Sequence, residues 1–419
     1  MFPNLLYRNQ SSLASNSFYL YLSHFADYLL ALFLLPFIAR TIGAIEFGII
    51  GLSQTFGILI TLLMEFGSSL MATREVSRKK DNNDALKIFI GQVTTFKLLL
   101  IPIAVLISII VIGIVPIFTN KSIYVFLVLL GSIFQGISPT WYFQGIEKMK
   151  KIALSKIIFR LISFGIVIFY VKSPNDGWMI IASFSFSSAL ICLYLYYIII
   201  KKLGLINLGY IRQSVDIFGK SINSFFITIV PLIYQNICII MLSIIVNPIQ
   251  LGLYYGASKI YRAFNNLYGP LSQAFFPIIS SLGYKNKIET KILLKNYLLL
   301  IFFIGILFFS INFFFAERIT LLLLGGEFSP SSGLLKIFAI VLPLTAISNA
   351  LGRQFLMAIN KDFFYTITQL LSSLIGLIIF IYLIRSQDLG AKALPISLIF
   401  YELTSIIIIS IFLIKNDIS

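Results

Sequence analysis

The stretch LLLIPIAVLISIIVIGIVPIF, residues 98–118, contains no ionisable side chain, and a second uncharged run extends from Leu298 to Phe315. An α-helix needs roughly twenty apolar residues to cross the hydrocarbon core of a bilayer. A helix at the surface of a soluble protein instead carries a charged or polar face. Short segments that alternate apolar and polar residues, which would indicate a transmembrane barrel, are missing from the sequence. The pattern therefore predicts helices that lie in lipid.

The whole composition agrees with this prediction. Of the 419 residues, 58% are hydrophobic and 11% are charged, a balance that a soluble domain cannot cover with polar surface. The uncharged runs and charged breaks predict an all-α, polytopic membrane protein with about twelve transmembrane helices. The predicted spans are centred near residues 28, 58, 102, 133, 162, 187, 229, 262, 303, 345, 373 and 402.

The basic residues predict the orientation. If the N-terminus is cytoplasmic, twenty-one of the 32 lysines and arginines fall in inside segments and seven in outside segments. Short cytoplasmic loops carry such an excess, so both termini are predicted to be cytoplasmic. The net charge of +16 then reflects topology and contact with anionic lipid rather than nucleic-acid binding. Cys192 and Cys238 both lie in predicted spans, so neither a disulfide framework nor a metal site is expected.

Twelve spans predict two lobes of six helices, residues 1–205 and 206–419. The stretches RTIGAIEFGIIGLSQTF, from Arg40, and NPIQLGLYYGASKIYRAF, from Asn247, support a repeat, because each joins a polar turn to a glycine-rich or aromatic helix start. Since six is even, both lobes would enter the membrane from the same face, as a parallel pseudo-repeat. The loops are too short to form a soluble catalytic domain, so no enzymatic activity is expected.

The segment SPTWYFQGIEKMKKIALSK, residues 138–156, closes the fourth predicted span. Its three aromatic residues, Trp141 to Phe143, fit a belt at the membrane interface, followed by lysines at an anionic leaflet. Gly145 is predicted to end the helix. The alternative is functional, with Gln144 and Glu147 lining the cytoplasmic mouth of a cavity.

Charged residues inside the spans are the strongest site candidates, because each costs about 2.5–3.5 kcal/mol to insert near the bilayer centre. Four cations but only two anions lie deep within the predicted spans. Such a surplus of positive charge requires water, a counter-ion or an anionic ligand. The alternative is internal pairing, for example of Asp27 with Lys259 or Arg262. The candidate substrate-binding residues are Lys259, Arg262, Asp27, Lys97, Arg160, Arg74 and Lys220, and the candidate ion-coupling residues are Asp27, Glu402 and Glu65.

Four stretches, in this order, carry a resemblance to a known family: IARTIGAIEFGI at 38–49, EFGSSLMATREVSRKKDN at 65–82, SPTWYFQGIEKMKKIA at 138–153, and LGLYYGASKIYRAFNNLYGPLSQAFFPIIS at 251–280. They resemble Wzx-type O-antigen and polysaccharide flippases of the multidrug/oligosaccharidyl-lipid/polysaccharide exporter superfamily. The resemblance extends over the chain end to end, including its length and number of spans. It also implies a two-lobe architecture like that of the MATE transporters in the same superfamily.

The resemblance implies that the chain carries an undecaprenyl-pyrophosphate-linked oligosaccharide, such as an O-antigen repeat unit, across the bacterial inner membrane by alternating access. It places spans one, two, seven and eight around a central cationic cavity, and so Asp27, Lys259 and Arg262 within it. Lysine and arginine suit a pyrophosphate because both form charge-assisted hydrogen bonds with its oxygens. Membrane lipids, a polysaccharide polymerase and a chain-length regulator are the other expected partners.

No cofactor is expected, and the sequence contains no glycine-rich nucleotide-binding loop that would point to ATP hydrolysis. Energy coupling stays open, with a proton or sodium gradient as the candidate energy source. Two alternative functions stay open. A MATE-like drug or cation antiporter would favour an acidic cavity. A membrane-embedded polysaccharide polymerase would need a large extramembrane loop or a cluster of acid, base or metal-binding residues.

Overall fold

The computed structural model describes residues 3–269, 271, 272, 275, 279, 287–386 and 389–415. Side chains are described for Tyr19, for Leu30 and from Leu32 onwards in these ranges. The exceptions are residues 223, 224, 226–228, 230, 231, 233, 287, 288, 290, 291 and 386. This part of the chain is almost entirely helical and contains no strand. Nine of its helices are long and apolar enough to cross a membrane. The predicted all-α, polytopic membrane fold is confirmed.

The α-helices in chain order are α1 Pro3–Glu65, α2 Ser68–Lys79, α3 Asn83–Leu99, α4 Ile101–Ile114, α5 Pro116–Asn120, α6 Ser122–Ile137, α7 Thr140–Gly145, α8 Met149–Tyr170, α9 Gly177–Leu203, α10 Ile211–Ile245, α11 Pro248–Asn266, α12 Lys287–Phe314, α13 Ala316–Leu324, α14 Ser331–Asn349, α15 Asp362–Ser386 and α16 Ala393–Lys415. Short 3-10 turns cover Pro174–Asp176, Gly326–Phe328 and Gly390–Lys392, and a π-helix covers Ala350–Leu356.

The chain divides into two compact units. Unit 1 contains Met1–Phe37 and Leu52–Ile229, and unit 2 contains Ile38–Gly51 and Val230–Ser419. The chain therefore enters unit 2 once in the middle of α1, where the helix is kinked at Gly43, and returns to it after Ile229. The lobes 1–205 and 206–419 and their parallel repeat remain a prediction.

Polar contacts between small residues join the helices of unit 1. The Ser132 hydroxyl donates to the Gly57 carbonyl at 2.9 Å, and the Ser185 hydroxyl donates to the Leu127 carbonyl at 2.7 Å. In lipid, helices associate through close packing and hydrogen bonds, because apolar side chains gain little from leaving an apolar solvent. These serines therefore serve as helix-to-helix contacts in unit 1.

The aromatic residues of α7 do not form an interfacial belt, so that prediction is wrong. Trp141 to Phe143 are at most 1% exposed, and the Trp141 ring lies 6.2 Å from the Phe89 ring. The helix ends at Gly145 as predicted, but it packs against α2, where a Cβ on Gly145 would come within 2.6 Å of Val76. The stretch is aromatic because it fills an internal contact of unit 1.

Candidate functional site

Two of the predicted substrate-binding cations lie together on α11 in unit 2. Lys259 and Arg262 are both half-buried and three residues apart, which places them on one face of the helix. Their like charges interact. No ion pair among the described residues includes Arg262. This face of α11 therefore presents an arginine without a carboxylate partner in the described structure, next to a second cation.

Tyr261, one of the two residues between them along the sequence, connects this helix to a buried carboxylate. The Tyr261 hydroxyl lies 3.2 Å from the Thr345 hydroxyl oxygen, and the Thr345 hydroxyl donates to Oε1 of Glu402 at 3.0 Å. Glu402 is 6% exposed and lies in α16, one of the membrane-spanning helices. A carboxylate placed there needs hydrogen-bond donors or protonation, and Thr345 supplies one donor.

More polar residues surround Glu402, none of which was predicted. The Ser348 hydroxyl donates to Ser405 at 3.1 Å, and the Gln369 amide donates to the same oxygen at 3.2 Å. The Tyr401 hydroxyl donates to the Gln369 carbonyl oxygen. We call Tyr261, Thr345, Ser348, Gln369, Tyr401, Glu402 and Ser405 the polar network of unit 2. Its hydroxyl and amide groups can both donate and accept, so the network can adjust to a change in the charge of Glu402.

A second feature of unit 2 is the segment Ile38–Gly51, which we call the clasp. Gly43 adopts φ 72° and ψ 176°, a left-handed conformation that favours glycine. The next N–H, that of Ala44, donates to Oε1 of Glu327 at 3.0 Å. A Cβ on Gly43 would lie 2.9 Å from the Glu327 carboxylate. Glycine is therefore needed at residue 43 for both its backbone conformation and its close approach to Glu327.

Three further contacts seat the clasp. The Arg40 guanidinium donates to the Leu322 carbonyl at 2.7 Å, at the end of α13. The Phe47 and Phe328 rings meet edge to face, 5.4 Å apart. A Cβ on Gly252 would lie 1.8 Å from the Ala44 carbonyl oxygen, so only glycine fits at this point of α11. The clasp is thus held by backbone, charged and aromatic contacts within unit 2.

In unit 1, Lys97 is buried and has internal partners. Its side chain is 1% exposed, and its ammonium donates to the Gly136 carbonyl at 2.7 Å, one residue before the end of α6. Carbonyls at a helix C-terminus lack intrahelical donors and favour a cation. The Glu65 carboxylate interacts electrostatically with Lys97 and with Lys156. Two predicted candidates, Lys97 and Glu65, are therefore brought together.

Glu65 also borders a cavity of about 130 Å³ in unit 1, together with Leu62, Gly67, Ser69, Leu70, Phe225 and Ile229. α1 ends at this point because Phe66 and Gly67 both adopt positive φ, 42° and 65°. The half-buried carboxylate thus faces open space at a helix end. This position is compatible with exchange of a proton or an ion.

The remaining candidates of unit 1 are dispersed. The Arg160 guanidinium lies 5.4 Å from the centre of the Phe184 ring, a cation–π distance. Arg74 is exposed on α2. Lys220, on α10, borders a polar pocket that also contains Glu75 and Asp216. Asp27 lies in α1, but its side chain is outside the described residues, so its predicted pairing with Lys259 or Arg262 stays a prediction.

The chain is similar in sequence to a known protein family and to two bacterial proteins. A family model described as "Polysaccharide biosynthesis protein" matches residues 13–283. A protein of Escherichia coli strain K12 named "Putative O-antigen transporter" is 28% identical over 363 residues, covering 85% of this chain and 86% of its own length. A Shigella dysenteriae protein of the same name is 26% identical over 414 residues, covering 96% of this chain and 98% of its own length.

Solved structures share the fold at low sequence identity. The lipid II flippase MurJ in an inward closed conformation gives a TM-score of 0.71 at 16% identity, covering 96% of this chain and 87% of its own. A multidrug resistance MATE family transporter of the MOP superfamily, in an inward-facing conformation, gives 0.68 at 12% identity, with 94% of each chain covered. These likenesses agree with the predicted MATE-like architecture.

Proposed function

The chain belongs to the polysaccharide biosynthesis protein family, and on this premise we propose that it moves a lipid-linked oligosaccharide from the cytoplasmic to the periplasmic leaflet of the bacterial inner membrane. Two relatives that match most of the chain carry the name of an O-antigen transporter. The chain is a multi-pass membrane transporter and not an enzyme. A polyprenyl pyrophosphate is the carrier lipid that the proposal assigns to the substrate.

The observation that carries the substrate assignment is the pair Lys259 and Arg262 on α11. Like charges three residues apart on a half-buried helix face destabilise one another, and each is costly in a membrane. A bound pyrophosphate would neutralise both, with Arg262 forming paired hydrogen bonds to two oxygens and Lys259 acting as a point charge. A cationic drug would instead add to the repulsion.

The proposed mechanism is alternating access. The sugar headgroup would cross through the protein while the lipid tail stays in the bilayer. We assign the coupling step to Glu402, because the surrounding hydroxyls and amide can satisfy its oxygens with or without a bound proton or sodium ion. The residues on both sides of the clasp belong to unit 1. If unit 1 moves, either the chain bends at the two ends of the clasp, or the contacts that hold the clasp in unit 2 break.

The proposed orientation has both termini in the cytoplasm, because of the lysine and arginine distribution. The clasp then lies on the periplasmic side and Lys148 on the cytoplasmic side. Single cysteines can test this in a background where the two buried cysteines, Cys192 and Cys238, are serine. A membrane-impermeant maleimide should label exposed Lys172→Cys in intact cells and exposed Lys148→Cys only after permeabilisation. The reverse pattern would overturn the orientation.

Deletion of the gene tests the function. A flippase predicts single repeat units on lipid, trapped at the inner leaflet. A polymerase predicts repeat units that reach the periplasm unpolymerised, and a drug exporter predicts neither. Arg262→Gln and Lys259→Gln should each fail to restore surface polysaccharide while the protein stays in the membrane. Lys392→Gln, a matched change at an exposed lysine of unit 2, should restore it. Normal polysaccharide in both α11 variants would remove these residues from the site.

A further inference from the structure

A pocket of about 180 Å³ lies in unit 1 where α2, α3 and the first turns of α10 meet. It is separate from the candidate residues of α11 and α16, and no step of the proposed mechanism uses it. Sites for drug-sized ligands occupy about 300–1,000 Å³. This pocket therefore has room for one small polar group, such as a single sugar ring, rather than for a whole lipid-linked substrate.

Close contacts between the pocket walls fix their spacing. A Cβ on Gly91 of α3 would lie 2.3 Å from the Asn207 carbonyl oxygen, in the segment just before α10. The Thr95 hydroxyl donates to the Leu208 carbonyl at 2.7 Å. The α3 and α10 walls are thus joined at the side of the pocket, and their polar side chains are held on a preformed scaffold, as binding sites require.

The pocket is lined by two carboxylates, two lysines and two carboxamides. Its polar side chains are Glu75, Asp216, Lys79, Lys220, Gln92 and Gln213. Glu75 pairs with Arg78 at 3.0 Å and with Lys79 at 3.4 Å. Within the described part of the chain, the side chains of the other four form no hydrogen bond or ion pair. Carboxylates only accept hydrogen bonds, lysines only donate, and carboxamides do both.

This mixture selects a class of ligand. The two carboxylates and two lysines balance, so neither a pyrophosphate nor an organic cation gains a net charge attraction in this pocket. A hydroxyl group both donates and accepts, so a polyhydroxylated ligand can bond to the acceptors and the donors of the pocket together. Met71 adds apolar surface, which suits the C–H face of a sugar ring, whereas Phe89 and Ile217 are buried and form the floor of the pocket. Lys79 lies over the Phe89 ring at 4.5 Å from its centre.

We propose that this pocket binds one sugar of the saccharide headgroup before translocation. The inference rests on the proposed function, which supplies the saccharide, and on the proposed orientation, which places the pocket on the cytoplasmic side. The pocket would hold the headgroup while the pyrophosphate moves to Lys259 and Arg262. Sugar recognition would thus be separate from charge recognition, in different units of the chain.

A photo-crosslinking experiment tests the pocket in cells that make the polysaccharide. A benzophenone amino acid replaces exposed Gln213, which borders the pocket, or exposed Val215 on the same helix, which does not border it. After irradiation, a glycan-containing adduct is expected at 213 and not at 215. Cells that lack the enzyme starting the repeat unit should give no adduct if the ligand is lipid-linked, and an unchanged adduct if it is free saccharide. The first result supports the headgroup of the flippase substrate as the occupant, and the second would overturn the inference in favour of a free saccharide.

Two substitutions give the expected size of the effect. Asp216→Ala should reduce the adduct at 213 about tenfold, as expected when one hydrogen bond to a charged group is lost. Asp84→Ala, at an exposed carboxylate outside the pocket, should leave it unchanged. Absence of a glycan adduct at 213, or equal adducts at 213 and 215, would overturn the inference. Surface polysaccharide in the same cells reports the proposed function separately, so the two can fail independently.

Discussion

The backbone N–H of Ala44 donates a 3.0 Å hydrogen bond to the carboxylate of Glu327, 283 positions away along the chain. This bond anchors the clasp at its glycine kink. Hydrogen bonds to charged groups contribute about 1.5–3 kcal/mol each. We therefore expect Glu327→Ala to weaken the attachment of the clasp, which the contacts of Arg40 and Phe47 still hold, and Glu327→Gln to preserve it because the amide oxygen still accepts.

The measurement is the thermal unfolding of the purified variants. The free energy of unfolding of Glu327→Ala should be lower than that of the unmodified chain by about 1.5–3 kcal/mol. The value for Glu327→Gln should lie between those of Glu327→Ala and the unmodified chain. Equal stability of all three would show that the bond to Ala44 contributes nothing.

A methyl group at residue 252 is expected to displace the clasp by steric overlap. In Gly252→Ala, the new Cβ would lie 1.8 Å from the Ala44 carbonyl oxygen, and overpacking of this kind typically costs about 1–3 kcal/mol. Gly333→Ala is the matched control in unit 2, since nothing lies within 4 Å of a Cβ there. Gly252→Ala should unfold at a lower temperature and transport poorly, whereas Gly333→Ala should do neither. If both variants behave alike, the close approach of α11 to the clasp is not required.

The buried cation of unit 1 should be coupled to Glu65. Lys97→Met leaves the Gly136 carbonyl without its 2.7 Å donor and Glu65 with Lys156 as its remaining cation, so we expect a loss of about 1–3 kcal/mol in the free energy of unfolding. Adding Glu65→Gln should recover part of that loss, with a coupling energy of about 0.5–3 kcal/mol. The same cycle with Lys156→Met should give a smaller coupling, because Lys97 has the stronger interaction with Glu65. Strictly additive losses would show that Glu65 and Lys97 act independently.

Glu402 is expected to couple transport to an ion gradient. Glu402→Gln retains an oxygen that can accept the Thr345 hydroxyl now 3.0 Å from Oε1, so the variant should stay folded. It can no longer gain or lose a charge, and its transport rate in vesicles should be the same with and without an imposed proton or sodium gradient. Glu402→Leu removes the acceptor as well and should also unfold at a lower temperature. A Glu402→Gln variant that still responds fully to the gradient would exclude this residue as the coupling group.

The sequence was enough to predict the fold class, because uncharged runs such as residues 98–118 have no place in a soluble domain. The same kind of evidence made Glu402 a candidate, since one carboxylate in an apolar run is conspicuous, and its role stays a prediction. Its partners Thr345 and Ser348 could not be identified, because helical serine and threonine hydroxyls often bond to their own backbone and give no signal of a tertiary partner.

Contacts between distant segments also could not be predicted from the sequence. IARTIGAIEFGI stands out as a motif, but its partner Glu327 lies in a polar stretch that resembles any loop. The aromatic residues at 141–143 follow the pattern of an interfacial belt, yet they are buried because α7 packs against α2. Whether an aromatic residue faces lipid or protein depends on neighbours that hydropathy alone does not reveal.

The central claim is that this chain moves a pyrophosphate-linked saccharide between leaflets, with Arg262 contacting the phosphates. The most direct measurement uses vesicles that contain the purified chain and a polyprenyl-pyrophosphate-linked oligosaccharide, with an externally added glycosidase to report which headgroups face outwards. The original chain should expose nearly all headgroups to the enzyme over time, Arg262→Gln should do so much more slowly, and Lys392→Gln should match the original. If the original chain exposes headgroups no faster than protein-free vesicles, under every imposed ion gradient, the account is contradicted.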